Sequence, residues 1–110
     1  MSDESDKYNI LVDKLLNKTE EGSLDWGIVR DEQPQTKLGD YIIRLRADET
    51  AEGEPVEVVL LYRNNNELID QFNDNDLRGS YWAKMTKLRE LALRKARGVD
   101  KILDEILKNL

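Results

Sequence analysis

The stretch Val56–Phe72, VEVVLLYRNNNELIDQF, constrains the fold more than any other part of the chain. Val56, Val58, Leu60 and Tyr62 alternate with Glu57, Val59, Leu61 and Arg63, so one face is wholly apolar and the other partly so. That pattern suits an interior strand of an antiparallel sheet, with one face under helices and the other half covered. Asn64–Asn66 supply the turn, because asparagine accepts the left-handed backbone of a tight hairpin. A three-residue loop sets Arg63 against Glu67, Tyr62 against Leu68 and Val58 against Phe72. A two-residue loop would turn Leu68 and Phe72 to the other face. The first register is preferred, since it gathers the apolar side chains and pairs the charges.

Around this hairpin the sequence predicts an α+β domain spanning residues 1–110, with residues 1–5 frayed. From about Asp6 a helix begins, with Tyr8, Leu11, Val12, Leu15 and Leu16 on one stripe, Ser5 or Asp6 as its cap and Gly22 as its stop. Ser23–Val29 alternates as a strand anchored by Trp26. Asp31–Gly39, polar and containing Pro34, reads as a loop. Tyr41–Arg46 reads as a second strand, and the acidic Ala47–Pro55 as another loop. With the hairpin, this gives a four-stranded antiparallel meander. Ser80 is placed as the N-cap of a helix whose core stripe is Tyr81, Met85, Leu88, Ala92 and Ala96. A last short helix follows, capped by Asp100. One unbroken helix through Gly98 would keep the apolar stripe in phase. A break is preferred, because glycine costs about 1 kcal/mol inside a helix and the flanking basic residues match a terminus. Both C-terminal helices are expected to pack on one face of the sheet.

Composition removes several functions. The chain has no cysteine and no histidine, which excludes disulfides and thiolate metal sites and takes away the commonest general base. No apolar run is long enough to span a bilayer, and the acidic start MSDESDKYN lacks the apolar stretch of a signal peptide. A cytoplasmic location is the simplest expectation. The formal charge is −6, yet residues 78–110 carry nine bases and four acids. A basic helix beside an acidic sheet explains this asymmetry. The alternative is a surface for nucleic acid, which the overall negative charge disfavours.

Three constellations invite chemistry. Asp74 and Asp76 with Gly79 fit the first half of a calcium loop, but Arg78 and Met85 fall where two further ligands belong, so a turn and cap is preferred. Glu57 and Asp70 lie on neighbouring strands without the lysine a metal-dependent nuclease would add. Ser23 and Ser80 have no histidine to activate them. No cofactor and no catalytic residue is expected. Arg89 sits within the apolar sector of its helix and must find a carboxylate or stretch over Trp82. Tyr81 and Trp82 beside basic residues have the chemistry to stack on bases, but their spacing is that of a core. Ile102, Leu103, Ile106, Leu107 and Leu110 need a covering surface, either the domain's own sheet, which is preferred, or a second copy in a homodimer.

Leu15–Trp26, LLNKTEEGSLDW, resembles the opening of small bacterial and phage-borne domains with the pattern LL-x-KT-x-x-G-x-L-x-W. The segment Ala96–Leu103, ARGVDKIL, resembles their tail. The resemblance implies a β-meander between the two, a bacterial or mobile-element setting and no assigned activity. The reading that follows is a small non-catalytic interaction domain with a protein partner, or itself, as ligand. A nucleic-acid-associated protein using helix 80–97 stands second, and a metal-dependent enzyme third.

Overall fold

In the computed structural model, which describes residues 4–110, helix α1 (Glu4–Glu21) leads into a five-stranded antiparallel sheet. Its strands β1 (Trp26–Val29), β2 (Gln33–Leu38), β3 (Tyr41–Glu49), β4 (Pro55–Arg63) and β5 (Leu68–Asn73) lie side by side in chain order. Helices α2 (Trp82–Arg97) and α3 (Val99–Lys108) follow. Residues 1–3 of the expected frayed segment lie outside the described residues, whereas Glu4 and Ser5 are already helical. Ser5 and Asp6 therefore stand inside the first turn instead of capping it.

The expected four strands are five because Gln33–Leu38 is a strand, β2, and not a loop. Its alternation is carried by Pro34 and Thr36, both buried, and by the half-buried Leu38. Proline is tolerated there because pairing with β3 begins only at Gln35, so the missing N–H falls at the strand's beginning. Thr36 is buried without penalty because its hydroxyl donates to the Asp25 carbonyl at 2.9 Å.

The hairpin keeps the three-residue loop. The Arg63 N–H donates to the Glu67 carbonyl at 2.9 Å, their side chains pair at 3.2 Å, and Asn66 takes the left-handed backbone at φ 69°. Beyond Tyr62 and Leu68 the register slips at a bulge, so Leu61 faces Asp70 and Phe72 faces Val59 in place of Val58. Phe72 thereby joins Val59 under the helices, where its ring stacks on Tyr8 at 4.0 Å between centroids. The wholly apolar face of β4 is the one without helices: Val56, Val58 and Leu60 cluster there with Tyr62. Arg44 and Arg46 stand across the ladder from Leu60 and Val58, and the Arg44 guanidinium lies 4.6 Å from the centre of the Tyr62 ring. The arginine stems shield their apolar neighbours. The Arg44 head donates to Gln35, and Arg46 Nη2 pairs with Asp48 at 3.4 Å while its Nε is buried without a hydrogen-bond partner among the described residues.

The segment Leu15–Trp26 has a structural explanation. The Trp26 indole N–H donates to Thr19 Oγ1 at 3.1 Å, and the Thr19 hydroxyl donates to the Leu15 carbonyl at 2.6 Å. Gly22, at φ 80°, turns the chain between them. Helices α1 and α2 lie together on the sheet. Across their contact Lys84 meets Asp13 at 2.7 Å and Lys87 meets Glu20 at 3.1 Å. The Asp13 carboxylate, accepting from Lys84, holds that ammonium above its ordinary pKa. Ser80 does not cap α2. The N-cap is Tyr81, without a side-chain bond to the backbone, and its hydroxyl donates to Asp13 instead.

The expectation that α3 packs on the sheet is overturned. It contacts α2 and projects from the body, so the longest dimension is 55 Å and the radius of gyration is 15.1 Å. A compact domain of this length would measure about 13 Å.

Candidate functional site

The break between α2 and α3 is made by Gly98 at φ 65°, whose N–H reaches the Arg94 and Lys95 carbonyls. An exposed side-chain bridge, Arg94 Nη2 to Asp100 Oδ1 at 2.6 Å, spans the bend. Asp100 is thus a first-turn ion-pair partner and not the expected cap, a position that Gly98 fills. Ile102, Leu103, Ile106 and Leu107 on α3 and Leu110 just past its end are all exposed, between 45% and 92% of their surfaces. With 3.6 residues per turn they form one broad stripe together with Val99. The same spacing puts Asp100 and Asp104 along the Leu107 edge of the stripe and Glu105 towards the Ile102 edge. Lys101 and Lys108 fall on the opposite side of the helix.

A second apolar surface lies elsewhere on the domain. Leu11 and Leu15 of α1, Leu24 of the connecting turn and Leu38 at the end of β2 line an open groove of about 470 Å³. Lys14, Lys18 and Ser23 border it. Leu11, Lys14, Leu15 and Lys18 recur at i, i+3, i+4 and i+7, so α1 turns one ridge of carbon and ammonium groups to this groove. Sequence reading missed it. Leu11 and Leu15 belong to the predicted core stripe, and nothing local reveals that Leu24 and Leu38 leave a gap beside them.

Arg89 lies inside the helix–sheet contact and finds Glu57 of β4. Arg89 Nε donates to Glu57 Oε1 at 2.7 Å and Nη2 to Oε2 at 3.1 Å, while the Thr86 hydroxyl donates to the same Oε2 at 3.0 Å. The carboxylate holds the guanidinium above its ordinary pKa. With both oxygens of Glu57 engaged, the group is built to hold α2 on β4. It does not approach the C-terminal aliphatics, so the structure separates the two sets of residues singled out in the sequence.

The remaining candidates are also occupied. Asp74 Oδ1 accepts from the Glu57 N–H at 2.8 Å, and Asp76 accepts from the Asn73 N–H in a capping box around one 3₁₀ turn. These carboxylates shape the turn after β5, in line with the turn-and-cap reading. Asp70 accepts from the Tyr8 hydroxyl at 2.8 Å, remote from Glu57 along the β4–β5 pair. Among the described residues no three acids converge on a point where a metal ion would bind. Of the basic residues on α2, Lys84, Lys87, Arg94 and Arg97 pair with Asp13, Glu20, Asp100 and Glu32. Trp82 is exposed, beside Glu54, Pro55, Asp74 and Asn75. No helix among the described residues is long and apolar enough to cross a membrane.

Protein-family models, curated proteins and solved structures were all compared with the chain. None matches.

Proposed function

We propose that the chain is a small non-catalytic protein-interaction domain that presents α3 to a partner, in a cytoplasmic setting. The observation that carries this reading is the exposure of five large aliphatic side chains, four on one face of a single projecting helix and Leu110 just beyond its end. Fully burying such a side chain is worth about 1.5–3 kcal/mol, so burying the exposed half of each contributes about 1 kcal/mol. Five together supply several kilocalories per mole to whatever covers them. A helix of ten residues is marginal on its own in water, and a covering surface would stabilise it. The runner-up, nucleic-acid binding through α2, is weakened by the ion pairs that occupy four of its basic side chains and by the net charge of −6.

The double variant Leu103→Asp/Ile106→Asp tests the reading. Its body should unfold within about 0.5 kcal/mol of wild type, as surface substitutions do. Immobilised wild type should retain a second copy of the chain, or another protein, that the variant releases. Equal retention by both, or retention of nothing by wild type, would overturn the proposal. A large loss of stability would show instead that α3 is part of the core.

A further inference from the structure

We infer that the partner of α3 is the apolar groove of a second copy, in a reciprocal dimer where each chain lays its helix on the other's α1–β2 corner. The inference rests on the interaction reading of α3 and names its occupant. It is drawn from two surfaces that match in both polarity and charge. The helix carries an aliphatic stripe edged by Asp104 and Glu105, with its lysines turned away. The groove is floored by Leu11, Leu15, Leu24 and Leu38 and edged by Lys14 and Lys18. Seating the stripe with its Leu107 edge towards α1 brings Asp104 of one copy to Lys14 of the other and near Lys18, which in its own chain lies 3.8 Å from Glu21. This arrangement favours one orientation and disfavours α3 pairing with its like. The groove, at about 470 Å³, admits side chains and not a whole helix, so Leu103 and Ile106 would enter it while the backbone lies across the rim.

Two features favour a second copy over folding back within one chain. The left-handed turn at Gly98, with the exposed Arg94–Asp100 bridge beside it, carries α3 away from its own body. The groove also lies at the Leu38 end of β2, whereas Arg97 tethers the start of α3 to Glu32, beyond the Gln33 end. A helix-to-groove contact joins unlike surfaces and would propagate into a filament if left open. Exchanging two helices about a two-fold axis uses both helices and both grooves and closes the assembly.

The test is a charge exchange read by sedimentation at micromolar to about 100 µM protein, the range in which modest interfaces associate. Wild type should reach the mass of two chains. Lys14→Glu/Lys18→Glu and Asp104→Lys/Glu105→Lys should each weaken that dimer at least about tenfold, as like charges then meet. Mixing the two variants should restore association, because every helix then meets a groove of opposite charge. All four substitutions lie on exposed positions, and circular dichroism of each variant checks that it is folded. A wild type that stays monomeric throughout would overturn the inference. So would a dimer that resists Lys14→Glu/Lys18→Glu yet dissociates on Leu103→Asp/Ile106→Asp, which would instead show helix-to-helix pairing and leave the interaction reading standing. A monomer whose α3 amides resist hydrogen exchange would mean that the helix occupies its own groove.

Discussion

Trp26→Ala is expected to lower the free energy of unfolding by about 3–5 kcal/mol. Domains of this size hold about 5–15 kcal/mol in total, so the variant should sit close to unfolding at room temperature. Trp26 is buried at the junction of α1 and β1, and its indole N–H is bonded to a threonine that is itself wholly buried. Truncation removes the ring, opens a cavity under Leu15 and Leu16, and leaves Thr19 Oγ1 without its donor. Trp26→Phe separates these effects: it keeps most of the volume and loses the hydrogen bond, and should cost about 1 kcal/mol beyond the smaller ring. Urea denaturation of the three proteins measures both steps. A midpoint for Trp26→Ala within error of wild type would show that the tryptophan does not anchor the core.

The reason Trp26 was legible in the sequence also explains what was not. Period-two and period-three-to-four patterns reveal which side chains turn inwards where a segment is apolar, and they placed α1, α2 and most of β4, whereas of the expected strand Ser23–Val29 only Trp26–Val29 is strand. They fail where an inward position is filled by a residue of polar type. Strand β2 is such a case: Pro34 and Thr36 occupy core positions, and what makes Thr36 acceptable is a carbonyl eleven residues away. The bulge at Ile69 is another. The turn chemistry of Asn64–Asn66 fixed the first pairs, Arg63 with Glu67 and Tyr62 with Leu68, but one inserted residue then moved Phe72 to the helix-covered face. The burial of Glu57 on that same face could not be read from alternation, which treats a glutamate as solvent-facing.

The candidate site divides along the same line. The aliphatic stripe of α3 is local and was plain in the sequence, as was the break at Gly98. Its direction was not. Glycine permits either a return over the sheet or a projection outwards, and no local pattern distinguishes the two; in the folded chain Arg94 and Asp100 meet across the outward bend. The groove is harder still, because Leu11, Leu24 and Leu38 come from three segments and their common surface exists only after β2 has formed beside β1. An apolar helix without a visible seat and a seat built from scattered residues are two halves of one problem. Only the helix can be read from sequence.

The pair Glu57–Arg89 yields the second large effect. Only 5% of the Glu57 side chain and 21% of the Arg89 side chain remain exposed, so both charges have given up most of their water. Removing one partner leaves the other in the helix–sheet contact with nothing to balance it. Glu57→Leu should therefore destabilise the domain by about 3 kcal/mol, the lower part of the range for a broken buried pair, because Arg89 can still slide its head towards solvent. Arg89→Met should cost a comparable amount, since it strands the more deeply buried carboxylate with Thr86 as its remaining side-chain partner. The double variant Glu57→Leu/Arg89→Met is expected to recover most of either loss, because two apolar side chains of similar size pack where two charges stood. The difference between the double variant and the sum of the singles is the coupling between the residues, read from four denaturation curves. Additive single effects would mean that the pair does not hold α2 on β4, and that each residue acts through its own separate neighbours. A double variant that folds as well as wild type yet fails to associate would give Arg89 a part in binding that its burial against Glu57 argues against.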